Sequence, residues 1–234
     1  MLIAQLAEQA KAEGKTGLAI SFAGWLSDDG SCAEAAPNLA WNRTPLSALA
    51  ADYGLDCHLE NDVDARAWGE WINRQKYNPG GDMLVINAGS GFALGMVLDH
   101  RLRRGARRRA GEVGHWRPGL KGRCGCGALG CAESLLGAAH HEPSDFDKTA
   151  LRQRWLDLAV ATLAPVIAAL DPGQTIATGG LLDHRPELRL ELQTRLRQAL
   201  PEAWFGGFEL LPSVGGEALA RLGVLDLARR AQKG

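Results

Sequence analysis

The sequence has few cysteines, no long apolar opening and almost no net charge, and each shortage removes a class of protein. Five cysteines in 234 residues is a sparse and odd set, which does not suit the paired framework of a small disulfide-stapled scaffold. Three of the five fall within residues 124–131, while Cys32 and Cys57 stand alone; that distribution resembles a metal site, and the expected location is cytoplasmic. The opening stretch, Met1 to Lys15, lacks a basic start followed by a long apolar core, so it reads as an amphipathic helix rather than a signal peptide or membrane anchor. A formal net charge of -1 implies neither a polyanionic partner nor a membrane surface. No internal repeat or low-complexity tract is present.

What is present is a chain 46% hydrophobic, long enough for one large or two modest domains. Helical and strand patterns alternate along it. A helix is expected over residues 2–13, a buried strand over 17–22, a helix over 45–53 and a strand over 57–60 that delivers Glu60-Asn61-Asp62. A helix from Asp64 to about Lys76 stops at Asn78-Pro79-Gly80-Gly81, the expected domain boundary. Strand 83–87 then runs through Ala88-Gly89-Ser90-Gly91 into strand 95–98, with a hairpin turn at Asp99-His100. A long helix over 148–170, a strand over 175–178 ending in Gly179-Gly180, a helix over 186–200, a strand near 208–211 and a helix from Gly216 to about Ala231 complete the pattern.

The densest chemistry is His-x8-Cys-x-Cys-x4-Cys, formed by His115, Cys124, Cys126 and Cys131 within 17 residues. Four nitrogen and sulfur ligands suit tetrahedral Zn²⁺, and one ion pins a loop too rich in glycine to order itself. A redox-active thiol cluster is the weaker reading, because a local histidine completes the four-ligand set. Carboxylates Glu112 and Glu133 flank the loop. Glu60-Asn61-Asp62 fits either a helix cap or a reactive strand end. Gly89-Ser90-Gly91 fits a hairpin turn or a phosphate cradle, and Gly179-Gly180 a tight turn or a close approach to a nucleotide. Residues 101–109 hold six arginines. Without aromatic interleaving or a helix-turn-helix pattern, they read as a solvated hairpin connection rather than a nucleic-acid surface.

Taken together, Pro37-Asn38-Leu39-Ala40-Trp41, Glu60-Asn61-Asp62, the stretch Gly105-Ala106 to Gly111-Glu112-Val113-Gly114-His115, the cysteine cluster ending at Glu133, and Ala177-Thr178-Gly179-Gly180 resemble the ROK family of bacterial sugar kinases and sugar-responsive repressors. The resemblance implies an α/β chain with the ribonuclease H-like, actin-like ATPase fold in two lobes. Residues 1–80, with the helix 216–234 returning to them, would form the small lobe, and residues 81–215 the large lobe with a zinc-pinned sugar loop. It implies Asp62 as base, and Asn61, Glu112, His115 and Glu133, with Asn38 and Gly24, as sugar contacts. Gly89, Ser90, Gly91, Gly179 and Gly180 would contact ATP carried with Mg²⁺, and His115, Cys124, Cys126 and Cys131 would hold a structural zinc. Trp116 is placed to stack on a sugar face, and a homodimer through the large lobe is the family expectation. Family members also carry Asp-x-Gly-Gly-Thr-Lys on opening strands, a segment this sequence does not contain, so the small lobe is expected to be truncated with a sheet edge exposed. Two functions follow: ATP-dependent phosphorylation of a hexose or N-acetylhexosamine, and, as the alternative, a non-catalytic sugar sensor related to the repressors.

Overall fold

The computed structural model describes residues 2–36, 39–75 and 81–232. Asn38 and residues 78–80 of the expected boundary lie outside them. In chain order the elements are α1 (Leu2–Ala12), β1 (Gly17–Phe22), β2 (Trp25–Leu26), β3 (Ala33–Ala36), β4 (Trp41–Thr44), α2 (Leu46–Ala51), β5 (Asp56–Asn61), α3 (Asp62–Arg74), β6 (Met83–Ala88), β7 (Phe92–Leu98) and β8 (Arg101–Leu102). Then come α4 (Glu133–Leu136), α5 (Thr149–Leu170), β9 (Gln174–Thr178), α6 (Gly180–Asp183), α7 (Pro186–Ala199), α8 (Glu202–Phe205), β10 (Leu210–Pro212) and α9 (Gly216–Ala231).

The strands form three sheets. Five of them run in the order β10-β9-β6-β7-β8, with β6, β9 and β10 mutually parallel and β7 and β8 antiparallel to their neighbours. Alternation along β6 covers this sheet on both faces. Leu84 and Ile86 join Trp155, Leu163 and Leu192 in one core, while Met83 and Val85 join Trp68, Trp71 and Leu227 in another. Asp99 and His100, both at positive φ (50° and 59°), make the two-residue turn between β7 and β8 that the sequence suggests. α5 passes the length and composition test for crossing a bilayer; here Trp155, Leu156, Ala159, Leu163 and Ile167 on it are buried in the protein core.

A smaller parallel pair joins β1 to β5, in register from Gly17↔Asp56 to Phe22↔Asn61, and among the described residues β1 has no other strand partner. The ribbon β2-β3-β4, with strands of two to four residues, is not anticipated by the sequence patterns. Strands that short carry too few alternations to register as a period. α3 and α9 join the small pair to the large sheet, and they pack at very close approach. A Cβ at Gly69 would stand 1.8 Å from the Leu219 carbonyl oxygen, and one at Gly223 1.8 Å from that of Ala65.

Two boundaries differ instructively from the sequence expectation. α3 begins at Asp62 rather than Asp64, because Asn61 caps it. β7 begins at Phe92 rather than Gly95, because Phe92 pairs with Ala88 and its ring packs edge-on against Trp155, so the turn at residues 89–91 is tight.

Candidate functional site

A cleft of about 250 Å³ opens where the small pair, the β2 ribbon and the large sheet meet. Asn61, Asp62 and Gly24 line one side of it; Glu112, His115, Glu133, Ser90 and Gly91 line the other, with Cys126 beside them. Residues far apart in sequence are thus gathered by the parallel pairing of β1 and β5 and by the turn from β6 into β7. Gly89, Gly179, Gly180, Cys124 and Cys131 lie outside this lining.

On the first side the geometry comes from a helix cap. The Asn61 Oδ1 accepts from the backbone N–H groups of Val63 (2.8 Å) and Asp64 (3.2 Å), and its Nδ2 donates to the Gly24 carbonyl at 3.0 Å. One amide hydrogen remains for a ligand, while the oxygen already serves two donors. Asp62 follows at the first helical position and borders the cleft. Burial pushes its carboxyl above the usual carboxylate range, against the opposing pull of the Val63 N–H and the Arg66 charge. A carboxylate made more basic by its surroundings is the better proton acceptor.

The opposite side is coil and short turns, with Glu133 at the start of α4. Glu133 Oε2 accepts from the Phe92 N–H (3.1 Å), while its Oε1 accepts from Cys124 Sγ (3.3 Å). Glu112 Oε2 lies 3.4 Å from His115 Nε2. Burial pushes Glu112 upward, partly countered by the Trp25 indole and His115. The other nitrogen of His115, Nδ1, faces the thiols at 3.6 Å from Cys124 Sγ. Cys126 and Cys131 sulfurs are 3.8 Å apart, and all four ligand atoms lie within 4.8 Å of one another. Bond lengths of about 2.3 Å to sulfur and 2.0 Å to nitrogen give a tetrahedral zinc site edges near about 3.8 Å (S–S) and 3.5 Å (S–N). The two measured edges match these values. Burial pushes the Cys124 and Cys131 thiols upward, so ionising all three together calls for a cation at their centre. The residues therefore fit Zn²⁺ without rearrangement of fold.

The Gly89–Gly91 turn is closed by its own backbone, Gly89 N–H to Gly91 O at 3.0 Å, and is tied to the following segment by Ala138 and Ala139 N–H bonds to the Gly89 and Ser90 carbonyls. Across that segment lies a second hollow of about 520 Å³, bordered by Ala138, His141, Phe146, Gly180, His184 and Arg185. Gly179, at φ 95°, presses against β6, where a Cβ would stand 2.5 Å from the Ala88 carbonyl; its N–H bonds Asp183 at 3.1 Å. Gly180 borders the second hollow, whereas Gly179 serves the turn.

Trp116 does not border the first cleft. Its indole donates to Thr162 at 3.1 Å. The indole at the cleft is that of Trp25, edge-on to His115 with ring centroids 5.4 Å apart. Sequence reasoning missed it because it sits on the short ribbon. Asn87 and His140 also border the cleft unannounced by any motif.

Known proteins resemble this chain in different measure. The chain is 28% identical over 257 residues to a glucokinase of Streptomyces coelicolor, an alignment covering 90% of this chain and 79% of that enzyme. Over 126 residues it is 31% identical to the xylose repressor of Caldicellulosiruptor bescii, which covers 53% of this chain and 31% of the repressor. Among solved structures, a ROK family glucokinase from Streptomyces griseus, in complex with glucose and AMPPNP, superposes with a TM-score of 0.77 at 24% identity, over 97% of this chain and 87% of that one. That likeness establishes the actin-like ATPase fold. The ROK family model itself matches residues 1–142, and the chain belongs to the ROK family.

Proposed function

We propose that the first cleft binds a sugar between Asp62 and the Glu112, His115, Glu133 side, and that the chain phosphorylates it with ATP. The observation that carries this reading is the convergence on one cleft of a carboxylate made basic by burial and two further carboxylates flanking an imidazole. Vicinal hydroxyls suit carboxylates that accept in a plane, and Asp62 takes the proton from the attacking hydroxyl as the phosphoryl group transfers. Glu133 keeps lone pairs for a hydroxyl beyond its bond from the Phe92 N–H, and its Oε1 is released once Cys124 binds zinc as a thiolate. Zinc held by His115 Nδ1, Cys124, Cys126 and Cys131 would supply a fixed loop, with Nε2 of the same ring left on the Glu112 side.

The nucleotide would occupy the second hollow. His141, edge-on to the buried Phe146 at 5.4 Å, and Arg185, its guanidinium 5.9 Å from the same ring, offer the mixture of ring and charge that a purine and its phosphates use. The Gly89–Gly91 turn, shared between both hollows through residues 138 and 139, lies where phosphates would pass, and Mg²⁺ would enter with them. In this reading the cleft divides a lobe of residues 1–80 and 216–234 from one of residues 81–215.

The second reading is a sugar sensor without turnover. It is favoured by the match to the xylose repressor. Coupled ADP release by zinc-replete protein over hexoses, hexosamines and N-acetylhexosamines separates the two, with calorimetric sugar binding alongside. Kinase activity predicts sugar-dependent turnover that Asp62→Asn lowers by about 10²–10⁴-fold with sugar affinity little changed. Binding without turnover selects the sensor, and neither binding nor turnover overturns both.

A further inference from the structure

The six arginines of residues 101–109 take no part in the chemistry above. Rather than forming a solvated connection throughout, the loop turns three of them inward. Glu60, the residue before Asn61, is fully buried, and Arg104 grips it through Nε (2.9 Å to Oε2) and through a short bond from Nη2. Arg108 Nη1 reaches Glu60 Oε1 at 3.1 Å. Arg109 Nη1 donates to the Leu26 carbonyl at 2.8 Å, on the strand that carries Trp25. Burial alone would push Glu60 upward, yet the bonds from Arg104 and the two guanidinium charges hold it at about 2. Asp64 behind it is pushed up to about 8 by burial and by Glu60, so Glu60 carries the negative charge that faces the arginines at neutral pH. His58 Nε2, 3.7 Å from Glu60 Oε2, is too distant to share the load by a hydrogen bond.

The loop runs from β8 on the large sheet directly into Glu112. Its far end is fixed too: Gly111, at φ 88°, accepts from the Leu94 N–H at 2.9 Å, and a Cβ there would stand 1.9 Å from the Leu94 carbonyl oxygen. The stretch between these anchors spans the gap from β5 to the coil side of the cleft. A planar fork on a buried carboxylate tolerates little change in distance or angle, which makes it a spacer rather than a tether.

We propose that Arg104 and Arg108, closed on Glu60, are positioning residues that fix the spacing between Asp62 on one side of the cleft and Glu112 and His115 on the other. The consequence for turnover rests on the kinase reading; the mechanical link does not. The test is hydrogen exchange on the full, zinc-replete chain carrying Arg104→Ala, Arg104→Lys or Glu60→Gln, with steady-state kinetics in parallel. Expected is exchange about tenfold faster at residues 58–64 and 111–115 together, with α5 unchanged. The sugar kcat/KM falls about 10²-fold while the nucleotide KM holds, and Arg104→Lys recovers only part, having charge without the fork. Faster exchange confined to residues 101–110, or equal losses for both substrates, overturns the proposal. Glu60→Gln approaches the same link from the other strand should Arg104→Ala fail to fold. If the unsubstituted chain neither binds sugar nor turns over, the kinase reading falls and the exchange result alone decides the link.

Discussion

The two sides of the cleft are built by opposite means. Asn61 and Asp62 stand at the junction of a strand and a thirteen-residue helix, where backbone hydrogen bonds and one amide cap fix them. Glu112 and His115 stand on coil broken by short turns and Glu133 opens the one-turn helix α4, held by Gly111 against β7, by the thiol cluster and by Glu133's bond to Phe92. The first side is a product of regular secondary structure, whereas the second needs separate fastenings because its backbone has few ladder bonds of its own. Damage to each side should therefore differ in kind.

The largest effect is expected from removing the metal fastening. Chelation, or Cys131→Ser, should take zinc content well below one per chain and weaken sugar binding by about 10–100-fold, as loss of a ligand or its support does elsewhere. Exchange at α3 should stay unchanged, since nothing in its cap depends on the thiols. Elemental analysis with calorimetry checks this; full sugar affinity in metal-free protein would remove the contrast.

Next in size is a strike at the helical side. Gly223→Ala places a methyl against the Ala65 carbonyl in the α3–α9 crossing, and should cost about 1–3 kcal/mol by chemical denaturation. Zinc content should remain intact, the reverse of the first pattern.

A third effect appears only as pH is raised, and it concerns Asp64. Its folded carboxyl, raised to about 8 from an ordinary 3.8, keeps a proton that the unfolded chain has lost between those values. The stability this gives is complete below the ordinary value and is lost as pH rises through about 8. Asp64→Asn has no proton to lose, so it should match the unsubstituted protein near pH 4 and melt higher by roughly 10 °C or more near pH 9. A constant difference across that range would show that the carboxyl is already ionised.

The same contrast explains what could be read in advance. Strands Gly17–Phe22 and Met83–Ala88 and helices Thr149–Leu170 and Gly216–Ala231 announce themselves because their apolar residues recur with the period of the element that buries them. Glu60-Asn61-Asp62 is legible for a related reason: polar Asx residues between a strand and a helix have few local uses, and the cap reading proved true of Asn61. The four-ligand set was legible through spacing alone. Trp25 and the Arg104–Glu60 fork were not. Trp25 lies on a two-residue strand, and the fork joins residues 44 apart, a pairing that depends on how two sheets are set against each other. The arginine run looked solvated because charge in a sequence carries no sign of which way the loop turns.

One backbone stretch has a consequence reaching across the molecule. Ala139 and His140 border the first cleft, while Ala138 and His141 border the second hollow, and the Ala138 and Ala139 N–H groups are pinned to Gly89 and Ser90. The two chambers therefore share a partition a single peptide thick. An occupant that shifts the partition from one chamber changes the shape of the other. Whatever factor the first occupant imposes on the affinity of the second must be returned by the second on the first, so the two chambers are thermodynamically one device.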